Sequence, residues 1–426
     1  MAGAGAVLPL LASGCAPSVP MTGDGLPLEW ILPVQFDPTA EDAPRAAPAA
    51  VAAAGDPYAP LAAVLRDLQR GRGNQRGLIC MIGDSHAAGP FLVERLRALF
   101  QARYGAAGIG RLPPGRAQRY FNPSAFRVDQ TGEWASFNAF RSTSPGPFGL
   151  TGYRLSGATP GGAITLRMAE GQAFDRLHLS LMTDPAGGSF RLIIDGTVSA
   201  IGRTRDPRRA FHRGVIDVPR DSRSVTLELG GDGPVELLGW GVDRRARGIV
   251  VEAFGINGAT LATLDNRDRA ILLNELTAIP PALLILEFGT NEAVDGDLDA
   301  TAYAAALTRW LRTLRTALPQ TGLMLMGPAD AGRPRRGSGC AGVAPLPSLA
   351  RVQAVQREVA ARERVAHFDW SAAVTQGPCR LPELARESPP IMQRDLVHLA
   401  ADGYRLTAER LYEQIIRATG QPMIAT

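Results

Sequence analysis

Apolar and polar positions repeat with different periods along this chain. Leu61, Val64, Leu65 and Leu68 recur at helical spacing, which predicts a helix from Leu61 to about Arg70. An unbroken apolar run, Leu78 to Ile82, follows and reads as a strand buried on both faces. It meets Gly83-Asp84-Ser85-His86 and then a second helical pattern, with Leu92, Leu96 and Leu99 on one face and Gly105 as its stop. Ser85 therefore falls on a strand-to-helix turn. Residues 106–145 are rich in Gly, Pro and Arg and read as loop.

From about Gly149 to Asp243 the period shortens to two. Runs such as AITLRM, RLHLSLM, SFRLIIDG and SVTLELG are separated by turn residues, the pattern of an all-β sandwich or jelly roll. Strand–helix alternation then returns. GIVVEAFG is a strand, a helix covers roughly Leu261–Glu275, and ALLILEFGTNEA is a second buried strand running into a loop. An amphipathic helix, a third strand (GLMLMGPAD), a further helix, a short strand (VAHFDW) and the closing helix DGYRLTAERLYEQIIRAT complete the chain. The prediction is an α/β fold with a doubly wound parallel sheet, helices on both faces, and an all-β module inserted. The α/β unit is expected over 58–115 and 246–420 and the module over 116–245. Residues 16–57, rich in Pro and Ala, are expected to form a linker.

Composition changes this picture in a few places. The chain is 45% hydrophobic and 20% charged, an ordinary globular balance. It is basic, at +4 with a pI of about 9.1, yet all 45 basic residues are arginine. The lack of lysine excludes Schiff-base catalysis and a P-loop lysine. The arginine clusters Arg203 to Arg209 and Arg333 to Arg336 lack interleaved aromatics, so no nucleic-acid partner is expected. Of the four cysteines, Cys80 lies in the apolar strand and reads as an inert core thiol. Cys340 and Cys379 sit beside Gly/Pro loop residues. They are expected to pair in an oxidising compartment, two unpaired thiols being the alternative. The first 15 residues are apolar and end in small residues, like the tail of a secretory signal peptide. Ser13-Gly14-Cys15 also resembles a bacterial lipobox, which would lipidate Cys15 and tether the chain to a membrane. A periplasmic or cell-envelope location follows as an expectation. No other stretch approaches the roughly 18 apolar residues of a membrane span.

Open α/β sheets bind ligands at the carboxyl ends of their strands. Four blocks fall there: Gly83-Asp84-Ser85, Gly255-Ile256-Asn257-Gly258, Gly289-Thr290-Asn291-Glu292, and Asp395-Leu396-Val397-His398 before the last helix. A serine hydroxyl needs a base to become a nucleophile; His398 is the candidate base and Asp395 its orienting partner. The backbone N–H groups of Ser85 and Gly255 and the Asn291 amide are candidate donors to a tetrahedral oxyanion. Each has a plainer reading. Ser85 can cap the following helix, Gly255 can serve backbone geometry alone, Asn291 can be a turn residue, and Asp395-x-x-His398 can open a helix. His86 is too close to Ser85 in sequence to serve readily as its base; it and Glu292 are candidates for lining the substrate site. His178, His212 and His367 are read as structural, and Asp84 as a brace for the turn.

The four ordered blocks resemble the SGNH (GDSL-type) hydrolase family over about residues 77–110 and 248–416. IGDSHAAG, YGAAGIGRLPPGR, FGTNEA and DLVHLAADGY resemble its bacterial peptidoglycan O-acetylesterase branch, whose members carry a carbohydrate-binding-like β domain inserted in the hydrolase. The resemblance implies a flavodoxin-like hydrolase that uses no metal or organic cofactor. Its expected activity is a serine esterase removing O-acetyl groups from a cell-envelope or extracellular polysaccharide. A polysaccharide O-acetyltransferase with the same site and a non-catalytic glycan-binding lipoprotein are the alternatives. Trp134, Phe140, Phe148, Tyr153, Phe190 and Trp240 are the aromatics with which the module could meet glycan, against the plainer reading that they form its core.

Overall fold

A computed structural model describes residues 55–71, 75–117 and 121–423. The expected leader, the lipidation site Cys15 and nearly all of the linker lie outside the described residues. The apolar run forms the strand Arg76–Gly83, second of five parallel strands. Their order is Gly248–Gly255, Arg76–Gly83, Leu283–Glu287, Gly322–Met326 and Ala366–Phe368. In chain order this is 2-1-3-4-5, the flavodoxin-like doubly wound arrangement. Alternate strand residues feed two apolar layers. Ile79 and Met81 pack with the helices Ala59–Gln69, Pro90–Tyr104 and Ala401–Ala418. Leu78, Cys80 and Ile82 pack with Arg269–Ala278, Ala300–Ala317 and Leu349–Glu363. Burial on both faces is why these strands are uniformly apolar.

The β module is two antiparallel sheets with a shared core of Leu, Ile, Val and Phe. One sheet runs Ala210–Ser222, Phe174–Thr183, Val235–Asp243, Tyr153–Gly157, Trp134–Asn138; the other runs Phe126–Thr131, Ala163–Met168, Ser224–Leu229, Ser189–Ile194, Thr197–Arg203. Two sequence expectations change. The loop expected over 106–145 contains the strands Gly108–Leu112, Phe126–Thr131 and Trp134–Asn138. The first has glycine at 108 and 110, both at positive φ, so propensity argues against a strand there. It forms because it pairs with Val235–Asp243 and because Gly110 passes close to Val250 and Glu252, where a Cβ would clash. The helix expected over Leu261–Glu275 is split into a 3₁₀ turn, Leu261–Leu264, and a helix, Arg269–Ala278. Asp268 starts the second piece by accepting the Ile271 N–H at 3.0 Å.

Cys340 and Cys379 are joined by a disulfide, and Cys80 is a buried free thiol. Among the described residues no helix is long and apolar enough to cross a membrane.

Candidate active site

Ser85 opens a single helical turn, Ser85–Ala88, that follows the central strand. Asp84 caps this turn: its Oδ1 accepts the His86 N–H at 2.9 Å. The capping role open to Ser85 from sequence therefore belongs to its neighbour, and the Ser85 hydroxyl is turned to another partner. That partner is His398, with Oγ···Nε2 at 2.9 Å. The other ring nitrogen of His398 meets Asp395 Oδ2 at 2.7 Å. The three-residue spacing works because Asp395 also closes its own turn: Oδ1 accepts the N–H of Val397 and of His398, each at 3.0 Å. Leu396, at φ +58° with its side chain buried, takes the sharp corner, a left-handed conformation that a branched residue holds only when its surroundings enforce it. These backbone and imidazole hydrogen bonds hold the Asp395 carboxyl below the usual carboxylate range against the opposing effect of desolvation. Sequence positions 85, 395 and 398 thus converge on one hydrogen-bonded chain.

Asn291 also reaches the turn. Its Nδ2 donates to Ala259 O at 2.8 Å and to Asp84 Oδ2 at 3.3 Å, tying the Gly255–Thr260 loop to the serine turn. Gly255 is buried, and a Cβ there would lie 2.2 Å from Ala88 N and 2.3 Å from Asp84 O; glycine is required for that close approach. Gly258, three residues on, is partly exposed at φ +79°.

Two sequence expectations are corrected. His86 and Glu292 do not line an open site, being only 1% and 7% exposed. His86 packs beneath His398, its ring centroid 5.4 Å away and edge-on to Trp370, with Nδ1 2.9 Å from the Tyr404 hydroxyl. Burial lowers its pKa to about 3, so it stands beside His398 as a neutral ring. Glu292 Oε1 accepts the Leu261 N–H at 2.7 Å, which secures the neighbouring loop. His178 bonds Asp243 and His212 bonds Thr183, both inside the sandwich.

Sequence reading missed Glu287 and Tyr404. A single acid closing the otherwise apolar strand LLILE was the available signal for Glu287. Glu287 and Asp84 are both fully buried. Asp84 N–H donates to Glu287 Oε2 at 3.1 Å, and the two carboxyls are also hydrogen-bonded to each other. Gly83 permits this, since a Cβ there would sit 2.4 Å from Glu287 Oε2. Desolvation raises both groups, Asp84 to about 7; the Glu292 carboxyl adds to the rise at Asp84, and the Asp84 and Glu292 carboxyls add to it at Glu287. A raised carboxyl stabilises the fold while protonated. That contribution is complete below the unfolded value, about 4, and is lost as pH rises through the folded value near 7. The Tm difference between Glu287→Gln and the natural protein is therefore expected to shift in the variant's favour from pH 4 to pH 8. A flat difference across that range would contradict the raised carboxyl.

The comparisons with known proteins come from two directions. Residues 223–406 match the model of the GDSL-like lipase/acylhydrolase family. This segment holds Gly255, Asn291, Asp395 and His398 but not Ser85. A structure described as a peptidoglycan O-acetylesterase in action superposes with a TM-score of 0.72 and 26% identity over 86% of this chain and 98% of that one. A family two carbohydrate esterase from Clostridium thermocellum (TM-score 0.29, 12% identity, 68% of this chain and 100% of that one) and a putative GDSL-like lipase from Parabacteroides merdae (0.30, 18%, 41% and 73%) are too distant in superposition to bear on the argument. No curated protein sequence matches. The chain thus carries a GDSL-like lipase/acylhydrolase domain, and its parallel sheet with an inserted antiparallel module is the fold of the peptidoglycan O-acetylesterase it superposes on.

Proposed function

We propose that this protein is a serine esterase that removes O-acetyl groups from a cell-envelope or extracellular polysaccharide. The observation that carries the reading is the Ser85–His398–Asp395 chain, with contacts of 2.9 and 2.7 Å, on a fold shared over most of its length with a peptidoglycan O-acetylesterase. Ser85 Oγ bonds to the acetyl carbon as its proton passes to His398 Nε2. The bond from that carbon to the sugar oxygen breaks, and His398 returns the proton to the departing hydroxyl. Water then attacks the acetyl-enzyme, giving its proton to His398; acetate leaves and Ser85 regains its hydrogen. Asp395 keeps the ring in register and stabilises it when protonated. The oxyanion meets the Ser85 N–H, a loop N–H and the Asn291 amide, whose second N–H exchanges its long 3.3 Å contact to Asp84 Oδ2 for the oxyanion while the first stays on Ala259 O. Gly258 is better placed for that last donor than Gly255, because a donor to substrate must reach open space and Gly255 is buried.

Hydrolysis is favoured over acetyl transfer because the base is open to water: the His398 and Asp395 side chains are 36% and 45% exposed. The Cys340–Cys379 disulfide supports an oxidising compartment such as the periplasm or cell envelope, with lipidation at Cys15 as the proposed tether.

The test is acetate release by purified protein from O-acetylated peptidoglycan and other acetylated glycans, with p-nitrophenyl esters of increasing acyl length alongside. Activity on acetyl esters that fades with longer acyl groups is expected. No acetate from any glycan, with acetyl passing instead to an acceptor sugar, would establish the transferase. Asn291→Ala is expected to lower kcat by about 10²–10³, read as initial rates on p-nitrophenyl acetate. A loss below about threefold would remove Asn291 from the oxyanion site.

A further inference from the structure

Of the six module aromatics that could meet glycan, Phe148, Tyr153, Phe190 and Trp240 are buried, at no more than 4% exposed. Trp134 is half-buried, its indole folded over Gly157 with Nε1 donating to Thr131 O. Phe140 alone among the six is exposed, at 43%. Exposure by itself says little, but the position of this ring is held from both sides. Its neighbour Ala139 is fully buried, donates its N–H to Gly152 O at 2.9 Å and accepts from Asn266 Nδ2 at 2.9 Å. The Phe140 N–H is turned onto Asn138 Oδ1 at 3.1 Å. The anchored ring lies against the loop that Asn291 holds: a Cβ on Gly258 would be 3.0 Å from Phe140 Cε2 and 3.3 Å from Cζ. The next residue, Ala259, supplies the carbonyl bonded by Asn291. The sandwich thus delivers one exposed aromatic ring to the rim of the acyl-transfer site.

The other large exposed apolar side chains among the described residues do not do this. Phe91 has the Arg405 guanidinium over its ring at 5.7 Å, Val198 lies on the sandwich strand Thr197–Arg203, and Met423 is near the C-terminus. Val294 is exposed three residues after Asn291 but carries no ring to stack.

We propose that Phe140 is a specificity-determining residue, a platform on which a pyranose ring of the acetylated chain stacks while its acetyl group enters the Ser85 site. The inference rests on the esterase reading above and names how the glycan is held. A pyranose has an apolar C–H face and a polar rim. One flat exposed aromatic ring, followed in the chain by the exposed Arg141 and set against Gly258, which the exposed Asn257 precedes, suits that shape. A long acyl chain would need a continuous apolar groove instead.

The experiment compares wild type, Phe140→Ala and Phe140→Trp on O-acetylated peptidoglycan fragments, O-acetylated cello-oligosaccharides and p-nitrophenyl acetate. The readout is the ratio of kcat/KM on glycan to kcat/KM on the aryl ester. Phe140→Ala is expected to lower that ratio by about 5–10-fold, through KM on the glycan, and Phe140→Trp to restore it. An unchanged ratio in Phe140→Ala, or no rescue by Trp, overturns the platform while leaving the esterase standing. If wild type cleaves the aryl ester but no glycan, the polysaccharide reading and the platform fall together, and that result is read from wild type alone.

Discussion

Ser85→Ala and His398→Ala are each expected to lower kcat on acetyl esters by about 10⁴–10⁶ while leaving the fold intact. Ser85 Oγ is the atom to which the acetyl group would be transferred, and among the described residues its side-chain hydrogen bond is the 2.9 Å contact to His398 Nε2. Neither side chain fills the core: Ser85 is partly exposed, and His398 is 36% exposed. Melting temperatures of both variants should therefore stay close to wild type, which separates lost chemistry from lost structure. The double variant should be no slower than the singles, because the two groups act as one unit. Asp395→Asn should lose about 10⁴, since the amide presents a donor where His398 Nδ1–H needs an acceptor. Initial rates on p-nitrophenyl acetate decide the matter. A single variant retaining more than a tenth of wild-type kcat would remove that residue from the reaction.

The second large effect is on stability. Arg111 and Glu252 are 6% and 2% exposed, on strands of the sandwich and of the hydrolase sheet respectively. The Arg111 guanidinium bonds Glu252 Oε1 and, through Nη1, the Glu275 backbone carbonyl at 2.8 Å; the Arg111 backbone N–H donates to Glu252 Oε2 at 2.9 Å. Glu275 in turn accepts from Leu150 N and Ser180 Oγ, each at 2.6 Å. This network joins the two parts of the molecule through groups that water does not reach. Removing one charge strands the other, so Arg111→Ala or Glu252→Ala is expected to cost about 3–5 kcal/mol, a fall in Tm of roughly 10 °C. The double replacement Arg111→Met with Glu252→Leu should recover most of that loss, because it removes both desolvated charges and fills their volume. Singles within 1 kcal/mol of wild type would show that the sandwich is held by apolar contact alone.

Much of the site was legible along the chain because its parts are local. Gly83-Asp84-Ser85 sits between an apolar run and a helical period, and Asp395-x-x-His398 is a turn closed by its own aspartate. Such units are built by residues close in sequence. The strand–helix alternation likewise depends on periodicity, which any reader of the chain can count. The boundaries that failed were those set by partners far away. Gly108–Leu112 became a strand through pairing with Trp240–Asp243, far later in the chain, against its own glycine content. The helix expected over Leu261–Glu275 was interrupted at Asp265, whose carboxylate instead takes the Trp310 indole N–H and the Arg309 guanidinium.

The division for the functional residues is similar. The sequence by itself determined the order of the four blocks, the helical or extended period of their surroundings, and the residue types able to act as nucleophile, base and donor. Only the tertiary structure decided which side chains face solvent and which are shut away. His86 and Glu292 are adjacent in sequence to Ser85 and Asn291, yet both turn into the interior. Glu287 looked like the end of a strand and is one half of a buried carboxyl pair. Of the six aromatics named for the module, burial leaves Phe140 alone exposed. The physical reason is that burial and charge coupling are sums over neighbours from the whole fold. They exist only once distant segments have met, whereas a turn or a helical face is written in residues a few positions apart.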